Sequence, residues 1–138
     1  MLSEAEEGKS DLITMGPETG ITMQLKTSIA LKELKEYDRA LREINIAKSY
    51  NPYNANIWIT MGTIYTDLKQ FDKAIPCYER ALQINPYYDI ALKNLAINYF
   101  NVNNYEACIK ALNKVDIKGD TYLTDLFNEA SRRLAEKK

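Results

Sequence analysis

The side chains that most often do chemistry are scarce in this chain. It has no histidine, which removes the commonest general base and the commonest metal ligand together. Its two cysteines, Cys77 and Cys108, form no CxxC pair and are too few for a disulfide framework. They read as buried, inert thiols, and their number points to a reducing, cytoplasmic compartment. No glycine-rich phosphate loop, nucleophile elbow or metal-spaced cluster of Cys, Asp and Glu occurs. Carboxylates are plentiful, but nothing in their spacing builds a cleft around a pair of them. The residues therefore predict no enzyme, no metal and no cofactor. Asn85-Pro86-Tyr87-Tyr88 does match the short NPxY docking signal. That signal needs an accessible turn or strand, and a near copy at Asn51-Pro52-Tyr53-Asn54 suggests a structural joint instead.

Charge narrows the partners further. The whole chain carries a net −1, split unevenly: residues 1–20 carry −4 and the remainder +3. A body this weakly basic supplies no stripe for nucleic acid. Apolar residues form 46% of the 138 and charged residues 27%, enough to build a core without a membrane. No apolar run approaches the ~18 residues of a membrane helix, so no insertion is expected. Residues 1–20, acidic and broken by Gly and Pro, lack the basic start and apolar stretch of a signal peptide. They are predicted to form a flexible acidic arm.

The elements that position everything else follow from the repeated joint. The offset from Asn51 to Asn85 is a period, because the match at that offset extends well beyond the joint. Segments 21–54, 55–88 and 89–122 align without a gap. Small residues recur at Ser28, Gly62 and Ala96, and large ones at Leu31, Tyr65 and Tyr99. Aromatics recur at Tyr37, Phe71 and Tyr105; Ala40, Ala74 and Cys108 follow, then Ile44, Tyr78 and Leu112. Pro52 and Pro86 close two units, and Asp120 stands where a third proline would fall.

Within a unit the apolar spacing is helical. Ile57, Met61, Ile64, Tyr65 and Leu68 make one stripe; Ala74, Ile75, Tyr78, Ala81 and Leu82 make a second. Pro86 ends the second helix. Each unit is then a helix–turn–helix hairpin. Gly62 against Ala74 lets the two helices approach, and Tyr65 and Tyr78 fill the space beside them. One hairpin cannot bury both faces, so such units stack. Past Gly119-Asp120, Leu123, Leu126, Phe127, Ala130 and Leu134 form one stripe over 121–138. Asp125, Glu129, Arg132, Arg133 and Glu136 on the other side make it a solvating cap helix.

Trp58, Met61-Gly62, Tyr65, Ala74, Tyr78, Ala81 and Pro86 stand at the offsets of a tetratricopeptide repeat, which this stretch resembles. The likeness covers about residues 21–122. It implies an all-α, right-handed α-solenoid of three helix–turn–helix repeats plus a C-terminal capping helix. It also implies a protein-binding adaptor or scaffold that takes a partner peptide or helix in the groove lined by the first helix of each unit. The inward positions are then Thr22, Leu25, Lys26, Ile29, Lys32 and Glu33 in the first unit. The second supplies Asn56, Ile59, Thr60, Thr63, Thr66 and Asp67. The third supplies Ile90, Lys93, Asn94, Ile97, Phe100 and Asn101. Leu25, Ile29, Ile59, Ile90, Ile97 and Phe100 are apolar where the fold does not need filling, which favours the apolar face of a partner. Covering by the acidic arm is the alternative. A subclass of the family grips acidic chaperone tails with a clamp of Lys, Asn and Arg. The matching positions here hold Leu25, Ile29, Thr60, Ile90 and Asn94, so that ligand is not expected. The rival function is homo-oligomerisation through the C-terminal helix, with Leu123, Phe127 and Leu134 pairing with a second copy.

Overall fold

The structure is a computed structural model that describes residues 22–137 of the 138. The acidic arm expected over 1–20 lies outside the described residues. Those residues are all-α, arranged as helix hairpins. The helices are α1 (22–33), α2 (Tyr37–Tyr50), α3 (Ala55–Asp67), α4 (Phe71–Ile84), α5 (Asp89–Asn101), α6 (Tyr105–Leu112) and α7 (Thr121–Glu136). They fall into two compact units, the first ending at Pro52 and the second beginning at Tyr53.

The hairpin turn is the same device three times. Lys35, Lys69 and Asn103, equivalent positions of successive repeats, adopt φ of 62°, 59° and 64°. In each turn the next amide reaches back across the helix end: Glu36 N–H to Leu31 O at 2.9 Å, Gln70 N–H to Tyr65 O at 2.8 Å, Asn104 N–H to Tyr99 O at 2.8 Å. This six-to-one bond satisfies a carbonyl that would otherwise be orphaned, and it requires the left-handed residue between. The period is thus written in the backbone as well as in the side chains. Side-chain caps open three of the following helices: Asn54 accepts from Asn56 N at 3.0 Å, Asn104 from Ala107 N at 3.2 Å, and Asp120 from Leu123 N at 3.0 Å. The helix α4 runs unbroken through Pro76.

In the first unit, α1 and α2 close over Leu31, Ala40, Ile44 and Ala47, all buried. Ser28 is fully buried at their crossing and donates its hydroxyl to Ala40 O at 2.9 Å. In the second unit the same crossing is made by Gly62. A Cβ there would lie 2.7 Å from the Tyr78 ring, so only glycine lets that ring cross α3. Tyr78 is itself fully buried, with Ile59, Ala74, Ala81, Ala91 and Leu95 around it. A further cluster joins α5, α6 and α7 through Ala96, Tyr105, Cys108, Leu112, Leu123, Leu126 and Ala130. Ala130 holds the small position again, one full period after Ala96. The cap helix is therefore built in the register of a repeat's first helix.

The layers of the second unit follow from which helices meet. Each second helix packs on the first helices at its two sides. Successive first helices also meet, α3 with α5 and α5 with α7, whereas α4 and α6 make no close backbone approach. The first helices are thus the tighter layer, and this unit curves with α3, α5 and α7 inward. No helix among the described residues is long and apolar enough to cross a membrane.

Candidate functional site: the inner face of the first helices

The site is an array of side chains on α5 and its neighbours. Ile90, Asn94, Ile97 and Asn101 recur along α5 at helical spacing. Ile90 is 54% exposed, Asn101 is exposed, and Lys93, Asn94 and Ile97 are half-buried. The Asn94 side-chain amide makes no hydrogen bond among the described residues, while Asn101 Nδ2 donates to Ile97 O at 3.0 Å. On α3, Thr63 and Thr66 are half-buried. Their hydroxyl protons go to backbone carbonyls, Thr63 to Thr60 O and Thr66 to Gly62 O, both at 2.8 Å. Tyr88 at the start of α5 donates to the Asn56 amide oxygen of α3.

Two of the inward positions are corrected by the structure. Ile59, read as apolar surface, is 8% exposed and belongs to the cluster around Tyr78. Thr60 is 7% exposed and spends its hydroxyl on Asn56 O at 2.9 Å. The physical reason is the layer arrangement: α5 lies against α3, so this part of α3 faces a neighbour and not an open groove. Phe100 is half-buried as well. The Arg133 guanidinium of α7 lies 5.0 Å from its ring centroid, and Tyr105 meets it edge-on at 5.4 Å. In the first unit, Leu25 is half-buried, Lys26 is exposed and Ile29 is 40% exposed, all on α1. Lys32 is mostly covered and pairs with Glu33 at 3.5 Å.

The stripe expected to pair with a second copy is also used internally. Leu123 is 3% exposed, and Phe127 and Leu134 pack against the same cluster. Arg133, expected on the solvating face, instead donates to the Tyr105 hydroxyl at 3.1 Å while Glu129 holds its Nε at 2.8 Å.

A buried polar network was missed by sequence reasoning. Asn98 is fully buried between the repeats; its Nδ2 donates to Asn94 O at 2.8 Å and Thr66 Oγ1 at 3.1 Å. Thr66 has already given its one proton to Gly62 O, so the Tyr78 hydroxyl, 3.1 Å away, must donate to Thr66. Burial pushes the Tyr78 phenol well above its ordinary value, which keeps it a donor. A signal existed: Asn98 stands at the offset that Ala30 and Ile64 occupy in the other units. One polar residue among apolar counterparts marks a bond to a neighbour.

With hairpins, left-handed turns and stacked first helices in place, comparison with known proteins is informative. The sequence model of the tetratricopeptide repeat matches residues 55–88. The chain belongs to the tetratricopeptide-repeat family. A peroxisomal targeting signal receptor of Candida glabrata is 30% identical over 89 residues, covering 62% of this chain but 15% of that receptor. The uncharacterized protein ycf37 of Pyropia yezoensis is 39% identical over 101 residues, covering 72% of this chain and 50% of its own length. This tetratricopeptide-repeat chain thus spans half or less of these relatives. Among solved structures, the first tetratricopeptide domain of Spaghetti (RPAP3), bound to the HSP90 peptide SRMEEVD, superposes with a TM-score of 0.79. It shares 19% identity, covering 85% of this chain and 94% of that one, a likeness of fold.

Proposed function

We propose that this chain is an adaptor or scaffold module, not an enzyme, that binds a partner protein by laying an apolar peptide or helix along the inner face of its first helices. The repeats are read as 21–54, 55–88 and 89–122, with the C-terminal helix as their cap. The observation that carries the reading is α5: Ile90 is 54% exposed beside half-buried Ile97, with the uncommitted Asn94 amide between them. Two apolar contacts around an amide can hold a ligand's side chains and one of its backbone groups at once.

One domain of this fold, the first tetratricopeptide domain of Spaghetti, is seen bound to the HSP90 peptide SRMEEVD. The ligand proposed here is different. The positions that would carry the clamp hold Leu25, Ile29, Thr60, Ile90 and Asn94. None is basic, and Thr60 is buried with its hydroxyl committed. The buried thiols Cys77 and Cys108 support a reducing, cytoplasmic setting.

The test is affinity capture read by mass spectrometry, with wild type against an Ile90→Glu, Asn94→Ala double variant. Both changes avoid the core, which Ile59 would not. Partners lost in the variant, with its melting temperature unchanged, are the inner-face ligands. If the double variant captures the same set as wild type, the inner face is not the binding surface.

A further inference from the structure

The outer side of the second unit carries an opening that the repeat pattern itself does not predict. Because α4 and α6 make no close backbone approach, a cleft of about 180 Å³ is left between them. Its floor is Leu92 and Leu95 of α5, both nearly fully buried, with Tyr99 beside them. Leu82 of α4 forms one wall; Ala107 and Ala111 of α6 form the other. Lys110 near the end of α6 and Lys114 just past it stand at the rim.

In the preceding repeat, cationic side chains lie over the equivalent surface. There the Lys73 ammonium lies 5.9 Å from the Tyr65 ring centroid. Arg80 lies 6.0 Å from the Trp58 ring and 5.9 Å from the Tyr53 ring. Long cationic side chains thus lie over the rings of the outer face. In the next repeat the equivalent of Tyr65 is Tyr99, that of Trp58 is Leu92, that of Lys73 is Ala107 and that of Arg80 is Lys114. The side chain that lies over the tyrosine has been cut back to a methyl group, and the floor beneath is aliphatic.

We propose that this cleft is a second docking site, distinct from the inner face, for a peptide segment of another protein that inserts one large aliphatic or aromatic side chain flanked by carboxylates. The volume argues for one side chain, since small-molecule sites run to roughly 300–1,000 Å³. The rim argues for the acids. Lys114 has no carboxylate partner among the described residues, and Lys110 meets only Glu106, at 3.5 Å in an exposed pair that is readily exchanged. On the α4 side the wall is the apolar Leu82, so the cations of the cleft all stand on the α6 side. The ligand's carboxylates are therefore expected toward Lys110 and Lys114.

The experiment selects a phage-displayed library of random short peptides on the full chain, with counter-selection on Ala107→Lys, which restores the residue type of the preceding repeat. The expected peptides carry one large apolar residue flanked by Asp or Glu. They should lose roughly ten-fold or more in affinity on Ala107→Lys, as for a blocked anchor. They should weaken on Lys114→Glu and at high salt, and be indifferent to the Ile90→Glu, Asn94→Ala inner-face variant. Thermal melting checks that Ala107→Lys and Lys114→Glu stay folded. Selection yielding no peptide sensitive to Ala107→Lys, or sensitive peptides without acids, overturns the proposal. Peptides lost only on the inner-face variant support that other reading while refuting this one.

Discussion

At the scale of single residues, two positions in the second unit set how tightly the helices meet. Gly62 is one, because the Tyr78 ring occupies the place of its missing Cβ. A Gly62→Ala variant gains helix propensity but must displace a fully buried ring. The clash should win, with a net loss of about 1–3 kcal/mol in urea unfolding. An unchanged or raised midpoint would mean that the ring can move aside. Asn98 is the other. Removing its amide in Asn98→Ala takes a donor from Thr66 and from Asn94 O in a buried site, at a cost of about 1–3 kcal/mol. The same unfolding measurement checks it. Cys108 belongs at this scale too. Burial pushes its thiol up to about 11, so native protein should resist alkylation near neutral pH until it unfolds.

At the scale of elements, the turns and the cap are decisive. Lys35, Lys69 and Asn103 hold left-handed φ without being glycine. A β-carbon costs about 1–2 kcal/mol in that conformation. Lys69→Gly should therefore stabilise the α3–α4 turn by about 1 kcal/mol, measured as a raised denaturation midpoint. A lowered midpoint would show that the lysine side chain contributes more than its backbone strain costs. The cap helix carries ion pairs along its own length as well as packing. Glu129 accepts hydrogen bonds from Arg132 and Arg133, and they hold its carboxyl at about 2, below the ordinary 4.5. A depressed carboxylate stabilises the fold above 4.5, and that contribution is lost as the pH falls toward 2. The melting-temperature difference between wild type and Glu129→Gln should be constant at neutral pH and close toward zero in acid. A difference that persists undiminished at the acid end would mean that the charge is not its source.

At the scale of the whole molecule, the question is which surfaces remain for partners. The apolar side of α7 is consumed by its own core: Leu123 is buried, and Phe127 and Leu134 pack beside it. That face should not drive association. Sedimentation is expected to be independent of concentration and the same for wild type and Phe127→Ser; a wild-type dimer that the variant dissolves would show otherwise. The inner face and the outer cleft use opposite faces of α5, Ile90, Asn94 and Ile97 on one and Leu92, Leu95 and Tyr99 on the other, and the two proposals are separable for that reason.

The sequence by itself determined the repeat. A constant period in small, large and aromatic positions leaves stacked helix hairpins as the arrangement that buries both stripes. Gly62, Tyr78 and Ala130 could be placed because each depends only on contacts that recur at the same offset. What the period could not decide was where two repeats treat the same offset differently. Ile59 and Thr60 read as groove residues, yet the neighbouring first helix buries them. Arg133 read as solvated, yet it lies over Phe100 and bonds to Tyr105. Ala107 in place of Lys73 opens a cleft that no single helix contains. Helical spacing reports which residues share a face of one helix; only the packed neighbours determine whether that face meets water, another helix or an empty space.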